Sequence, residues 1–169
     1  RARVATLAGL PRSVFETVGR QVTVTTGAPE MIAGVKDAGG RVAVVSGGFH
    51  EVLDPIAHAL GLNFCRANRL EVTDGLLTGR LLGPVIDAEA KASTLREWAA
   101  DFGVPLSQTV AVGDGANDLP MMLEDEHGPV GISALPFSYE FAARACFDAE
   151  DINCPADVIA AQVNAARDR

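Results

Sequence analysis

The sequence lacks the features of several large classes of protein. No apolar run approaches the ~20 residues that a membrane-spanning helix needs. No cluster of lysine and arginine offsets the net charge of −8, which disfavours binding to nucleic acid or to anionic membranes. The three cysteines form no Cys-x-x-Cys pair, so neither a zinc knuckle nor a disulfide framework is indicated. These absences predict a cytoplasmic protein that binds neither nucleic acid nor membranes.

Helical and extended segments alternate along the chain. Apolar residues recur with helical spacing over 14–22, 52–60 and 89–102, and a further helix is predicted to begin at 26–29 and to stop at Gly39-Gly40. Short apolar runs at 41–46 and 109–112 predict strands buried on both faces of a parallel sheet, and Asp74-Gly75 predicts a β-hairpin over 70–81. Two minor strands, at 130–132 and 146–147, and a helix at 155–166 complete the pattern. This order predicts an open α/β sheet whose ligands bind at the carboxyl ends of the strands.

The first candidate site follows the strand at 41–46. Ser46 ends this strand and Gly47-Gly48 opens the next helix, so a hydroxyl and free backbone N–H groups come together. Such an arrangement binds anions, and phosphate is the natural one. A serine that only caps the helix would give the same pattern, so the sequence leaves both interpretations open.

The second candidate site follows the strand at 109–112. Asp114 comes directly after apolar residues, where an unpaired carboxylate is costly unless it meets a cation. Asn117 and Asp118 follow within one helical turn, and hard oxygen ligands of this kind suit Mg²⁺. An Asx turn with a helix cap is the alternative, although the density of acidic and amide groups favours the metal.

Two further predictions concern isolated charged or titratable residues. Lys91 lies at the start of the predicted helix 89–102, where its charge opposes the helix dipole, so we expect an anion to hold it. His50, His58 and His127 have no evident partners, and we expect them at the surface or at the edge of the core.

Together these segments resemble motifs II, III and IV of the haloacid dehalogenase superfamily, and most closely its phosphoserine phosphatases. The matching residues are Val45-Ser46-Gly47-Gly48-Phe49, Lys91 and the run from Gly113 to Met121. The hairpin segments 67–72 and 74–79, and Arg3 to Leu7 in the family's helical cap, extend the likeness from about residue 1 to about residue 123. Cation-pumping ATPases carry a string similar to the one that contains Asp114, but they have transmembrane helices.

The resemblance implies a haloacid-dehalogenase-like, Rossmann-like α/β fold with a parallel sheet flanked by helices. Residues 1–24 would be the C-terminal part of a helical cap, and residues 25–169 would be the phosphatase core without its first strand. The implied activity is Mg²⁺-dependent hydrolysis of a small phosphorylated metabolite, with O-phospho-L-serine as the leading substrate, through an aspartyl-phosphate. A homodimer is left open.

The resemblance also implies a role for each matching residue. Ser46 and Lys91 would bind the phosphoryl oxygens, and the Gly47 N–H would contact the phosphate or the serine part of the substrate. Asp114 would hold Mg²⁺. Asp118 completes the catalytic set. Together with Asn117 it would order the loop, and Asn117 would also reach the substrate or Lys91. The guanidinium of Arg3 would pair with the substrate carboxylate.

One motif of the family is missing. Motif I, Asp-x-Asp, supplies the nucleophile, and no Asp-x-Asp occurs in the sequence, whose first residue is Arg1. We therefore expect an upstream segment to carry the nucleophile, and we expect residues 1–169 alone to be inactive. Two alternatives remain open: an inactive truncated homologue that binds phosphate or a partner, and a phosphatase or phosphotransferase for another small metabolite.

Overall fold

The computed structural model describes residues 2–113, 115–123 and 130–133. The helices are α1 (Ala2–Ala5), α2 (Val14–Gln21), α3 (Ala28–Asp37), α4 (His50–Ala59), α5 (Ala88–Asp101) and α6 (Leu119–Met122). The strands are β1 (Ala43–Phe49), β2 (Phe64–Thr73), β3 (Leu76–Leu82), β4 (Val110–Gly113) and β5 (Val130–Ser133), and Leu106–Gln108 form a 3₁₀ turn. The chain divides into two compact units, Arg1–Ile86 and Asp87–Arg169. The strand predicted at 146–147 and the helix predicted at 155–166 lie outside the described residues.

The first unit contains a three-stranded sheet in the order β1-β2-β3. Strand β1 is parallel to β2, and β2 is antiparallel to β3. The predicted hairpin is confirmed, because β2 and β3 are joined by Asp74 (φ 51°) and Gly75 (φ 78°). Positive φ at both central residues gives the two-residue turn that matches the twist of a hairpin. The start of β2 at Phe64 was not predicted, so the parallel partner of β1 is a finding of the structure.

The apolar core of this unit lies between the hairpin and the two N-terminal helices. Val4 of α1 is buried against Leu70 of β2 and Leu77 of β3. Phe15 of α2 and Phe49 at the end of β1 also pack on this cluster, and their rings meet edge to face at a centroid distance of 6.2 Å. Phe49 therefore anchors the point where β1 passes into α4.

The second unit begins with α5, whose first turn is capped by a side chain. Asp87 Oδ1 accepts a hydrogen bond from the Ala90 N–H at 3.0 Å. The chain then passes through the 3₁₀ turn into β4 and from there into the short α6. Strand β4 is parallel to β5, in a register that runs from Val110 opposite Val130 to Gly113 opposite Ser133. The strands predicted at 109–112 and 130–132 are therefore confirmed.

The prediction that both apolar strands are buried on two faces is wrong. In β4, Val110 and Val112 are 58% and 51% exposed, whereas Ala111 between them is 3% exposed. Successive side chains of a strand point to opposite faces, so one face of β4 is buried and the other is uncovered within the described part of the chain. No residue of β1 is fully buried either. Among the helices that the structure describes, none is long and apolar enough to cross a bilayer.

Candidate active site

Residues 46–48 form a bulge at the carboxyl end of β1. Val45 pairs with Arg66, and the next paired residue of β1, Phe49, pairs with Asn68. Three residues of β1 thus lie opposite one residue of β2, which lifts this segment out of the regular ladder. Helix α4 begins directly afterwards, so the bulge leads into a helix N-terminus.

The hydroxyl of Ser46 is held within this bulge. The Gly48 N–H donates to Ser46 Oγ at 3.0 Å, and because Oγ accepts this bond its own hydrogen can still be donated to another group. Ser46 does not cap α4, since the N-cap residue is Phe49 and no side chain caps that helix. Gly47 and Gly48 are exposed. The bulge therefore presents a hydroxyl donor beside accessible backbone, as an anion site requires.

His50 is half-buried, in keeping with the expected place at the edge of the core, and it has two partners that the sequence did not make evident. His50 Nε2 accepts a hydrogen bond from the Ala67 N–H at 3.0 Å, and Nδ1 lies 2.6 Å from Asp54 Oδ1. Because Nε2 accepts, Nδ1 carries the ring proton in the neutral imidazole and donates it to Asp54. His50 thereby ties the start of α4 to the middle of β2. In the sequence, the i, i+4 spacing of His50 and Asp54 is the one signal for the contact between these two side chains, and it gives no sign of the contact with Ala67.

Cys65 completes a cluster with His50 and Asp54, whose potential ligand atoms lie within 4.8 Å of one another. Burial and the hydrogen bond to Asp54 raise the pKa of the Cys65 thiol. Burial raises the pKa of the Asp54 carboxyl, whereas the hydrogen bonds from His50 and Cys65 and the positive charge of Arg69 lower it, and the net shift of the pKa is downward. The Asp54 carboxylate therefore accepts hydrogen bonds from two neighbouring side chains. This cluster is a hydrogen-bonded support for α4, because the proton on His50 Nδ1 occupies the position that a metal would take.

In the second unit, Lys91 and Asp118 form a buried ion pair. Lys91 Nζ donates to Asp118 Oδ1 at 2.5 Å, and each side chain is 7% exposed. The anion expected near Lys91 is therefore the Asp118 carboxylate. Asp118 Oδ2 in turn accepts a hydrogen bond from the Gly115 N–H at 3.1 Å. This second bond fixes the plane of the carboxylate and so the position of the ammonium.

The loop between β4 and α6 is shaped by its glycines. A Cβ at Gly113 would collide with the side chain of Asp118, and a Cβ at Gly115 would come within 2.6 Å of Asn117 Oδ1. Backbone and polar side chains can approach this closely only because these two positions are glycine. The oxygen atoms of Asn117 and Asp118 are gathered at this loop, and oxygen donors are what Mg²⁺ prefers. Both Asp118 oxygens already accept hydrogen bonds, from Lys91 Nζ and from the Gly115 N–H, so the oxygen that the described part of the loop offers to the predicted metal is Asn117 Oδ1.

The predicted site residues are distributed over both units. Ser46 and Gly47 lie in the first unit, at the bulge, whereas Lys91, Asn117 and Asp118 lie in the second. Arg3 belongs to α1, and its side chain lies outside what the structure describes. Asp114, the predicted metal ligand, also lies outside the described residues. Within the described part, the contact that joins two predicted site residues by their charges is the Lys91–Asp118 pair.

Comparison with known proteins shows a consistent family likeness. A model of the haloacid dehalogenase-like hydrolase family matches residues 1–123. The chain is 46% identical over 147 residues to a phosphoserine phosphatase of Mycobacterium tuberculosis and 48% identical over 120 residues to one of Streptococcus thermophilus. A solved structure of a phospho-aspartyl intermediate analogue of phosphoserine phosphatase matches with a TM-score of 0.75 and 42% identity, covering 84% of this chain and 68% of that one.

The similarity covers only part of the relatives' length. The alignments include 87% and 71% of this chain, but 34% and 56% of the Mycobacterium and Streptococcus enzymes. The chain therefore spans between about a third and somewhat more than half of the curated relatives it matches.

Proposed function

Because the chain belongs to the haloacid dehalogenase-like hydrolase family, and within it to the phosphoserine phosphatases, we propose that the protein carrying it hydrolyses O-phospho-L-serine. The observation that carries the proposal is the buried Lys91–Asp118 pair, which stands at the lysine and aspartate of the motifs that the sequence resembles. A buried ion pair contributes little net stability, because both charges lose their hydration. Stability therefore does not explain why the chain buries these two charges, whereas binding of a charged phosphoryl group does.

Each predicted site residue has its own task in this proposal. Ser46 donates its hydroxyl hydrogen to a phosphoryl oxygen, and the backbone N–H of Gly47 donates beside it. Lys91 neutralises the charge that the phosphoryl oxygens carry, while Asp118 holds its ammonium in place. Arg3 pairs with the carboxylate of the substrate through two parallel hydrogen bonds. We assign Arg3 and the rest of residues 1–24 to the cap, and residues 25–169 to the core.

Mg²⁺ is the cofactor of the proposed reaction. Asp114 would hold it, and Asn117 would help to order the loop around it, in keeping with the oxygen donors and glycines found there. When bound, Mg²⁺ would neutralise charge on the phosphoryl oxygens.

The nucleophile of the proposed reaction is an aspartate upstream of the present residues. The absence of Asp-x-Asp from the chain and its partial coverage of the relatives both support this assignment. Two strand edges also support it. Within the described residues, β1 pairs with β2 alone and β4 pairs with β5 alone, so each strand has one edge that another strand could join. An added parallel strand would satisfy the backbone groups of such an edge.

The proposal is tested with the protein that includes the upstream segment. With Mg²⁺ and phosphoserine, Ser46→Ala should lower kcat by about 10²- to 10³-fold, as loss of one preorganised donor does. Ser107→Ala, at an exposed serine in the 3₁₀ turn, is the matched control and should leave kcat unchanged. Absence of phosphoserine hydrolysis by the wild-type protein would contradict the proposal and favour a homologue that only binds phosphate or a partner.

Arg3 tests the choice of substrate. Arg3→Ala should raise the KM for phosphoserine by about 10- to 100-fold, because the carboxylate loses a charged bidentate partner worth about 1.5–3 kcal/mol. The same variant should hydrolyse p-nitrophenyl phosphate, which has no carboxylate, as well as the wild type does. Equal effects on both substrates would argue for another small phosphomonoester.

A further inference from the structure

The bulge at residues 46–48 removes backbone groups from the β-ladder. Between the pairs Val45–Arg66 and Phe49–Asn68, three residues of β1 face one residue of β2, so the regular exchange of N–H and C=O groups is interrupted. Backbone groups that lose their ladder partners need others, because an unsatisfied polar group near the core is costly. The carbonyls of Gly47 and Gly48 are two such groups.

A single side chain binds both of these carbonyls. Asn68 Nδ2 donates to Gly47 O at 2.8 Å and to Gly48 O at 3.3 Å. Asn68 Oδ1 accepts from the Ile86 N–H at 2.9 Å, and the residue is 5% exposed. The donors and the acceptor of the carboxamide are thus all used. Rotation of the carboxamide by 180° would set its oxygen against two carbonyl oxygens, so only one orientation is compatible with its surroundings.

These contacts determine the direction of the peptide group that holds Ser46. In a trans peptide the C=O and the N–H point in opposite directions, so the bond from Asn68 to the Gly47 carbonyl directs the Gly48 N–H away from Asn68. That N–H donates to Ser46 Oγ at 3.0 Å. The Ser46 hydroxyl is consequently held as an acceptor on one side and directed outward as a donor on the other.

We propose that Asn68 is a positioning residue for the phosphoryl-binding hydroxyl of Ser46. This inference rests on the proposed function, in which Ser46 donates to a phosphoryl oxygen. Asn68 does not touch the phosphoryl group. It acts through the Gly47–Gly48 peptide group. It sets the direction of the Ser46 hydroxyl and does not itself donate a hydrogen bond to the phosphoryl group. Without Asn68, the peptide can rotate and the hydroxyl loses its fixed acceptor bond.

The test uses two substitutions and one matched control in the protein with its upstream segment. Asn68→Asp keeps the volume and an acceptor for the Ile86 N–H but removes both donors to the carbonyls. Asn68→Ala removes all three bonds. The control is Asn63→Ala, at another asparagine that bonds to backbone: its Oδ1 accepts from the Val42 N–H at 2.8 Å, before the start of β1 and away from the bulge. All are assayed below the unfolding temperature of the least stable variant.

Both Asn68 variants should lower kcat for phosphoserine by about 10- to 100-fold, as misplacement of a reacting group does, with little change in KM. Asn63→Ala should lose stability without losing kcat. Equal kcat in the Asn68 and Asn63 variants would overturn the inference, because Asn68 would then be only structural. A second result against it would be Ser46→Ala retaining full sensitivity to Asn68→Asp, since the two substitutions should not add if they act on one hydroxyl.

A readout without turnover separates this inference from the proposed function. In the ¹⁵N–¹H spectrum, Asn68→Asp should shift the amide resonance of Gly48 and accelerate its hydrogen exchange, whereas Asn63→Ala should leave both unchanged. If the wild-type protein does not hydrolyse phosphoserine and the Gly48 amide still responds, the function fails and the positioning stands. If neither Asn68 variant folds, slow exchange of the Asn68 side-chain amide in the wild type supports the contact, and fast exchange overturns it.

Discussion

Removing either partner of the buried Lys91–Asp118 ion pair should cause a large loss of stability. Asp118 is 5% exposed, and Lys91→Met would remove its ion-pair partner, with the Gly115 N–H remaining among the hydrogen-bond donors described above. Removing one partner of a buried ion pair costs about 3–5 kcal/mol, because the other charge stays buried after losing its ion-pair partner. That is a large part of the ~5–15 kcal/mol that stabilises a typical domain. Asp118→Asn should cost a similar amount by leaving the ammonium unpaired.

The double variant should be no less stable than either single one. With Lys91→Met and Asp118→Asn together, no charge remains buried, while an amide oxygen can still accept from the Gly115 N–H. The cost of the double substitution should therefore be smaller than the sum of the two single costs by at least ~3 kcal/mol. Urea unfolding at pH 7, followed by circular dichroism, measures all four free energies.

The sequence provides a control for this cycle. The chain contains two lysines, and the other one, Lys36, is exposed and donates to Gly61 O. Lys36→Met should cost about 1 kcal/mol or less, the net value of one solvent-accessible hydrogen bond. If Lys91→Met costs no more than Lys36→Met, or if the two single costs add within ~0.5 kcal/mol, then the charges are solvated and the reasoning is wrong.

Two predictions concern the hairpin. Gly75→Ala should lower the stability by about 1–2 kcal/mol. The cost comes from the backbone alone, because φ is 78° in the turn, whereas a Cβ at this position would contact no neighbour. Gly79→Ala, with φ 77°, should destabilise the protein more than Gly75→Ala in urea unfolding, since its Cβ would lie 3.0 Å from Ala8 Cβ and 3.2 Å from the Ala5 backbone. Equal losses of stability would show that the segment containing Ala5 and Ala8 shifts away at no cost. Hydrogen bonds from Thr78 and Arg80 lower the pKa of Glu71, so folding gains stability from its ionised form above the unfolded pKa of 4.5 and loses it as the pH falls through the lower folded pKa. Glu71→Gln should therefore flatten the acid limb of a stability–pH curve, and an unchanged limb would contradict the assignment.

Much of the secondary structure was predictable because it depends on neighbours in sequence. Helix α5 matches the predicted segment 89–102 within one residue at each end, and the Asp74-Gly75 turn lies where the alternation placed it. Residues that tolerate positive φ act through their own backbone, so the turn does not depend on the rest of the fold. The hairpin could therefore be predicted without knowing which helices pack against it.

The supports of the candidate site were not predictable in the same way. No partner of His50 was evident in the sequence, yet its Nε2 accepts a hydrogen bond from the Ala67 N–H. Asn68 donates to the carbonyls of Gly47 and Gly48, about twenty residues earlier in the chain. Both contacts depend on the parallel pairing of β1 with β2 and on the bulge in that pairing. A bulge is a property of two strands in register, and neither strand carries a signal for it alone.

The sequence by itself determined the residue types of the site and their local setting. A hydroxyl before two glycines and a lysine in a first helical turn could be identified from their neighbours alone, as could the run of oxygen donors near Asp118. Only the tertiary structure decided that Asp118 is the anion that holds Lys91, that one face of β4 is exposed and that Asn68 orients the bulge. The physical reason is range. Backbone conformation and helix dipoles act over a few residues, whereas ion pairs, burial and strand register join groups that the chain brings together only by folding.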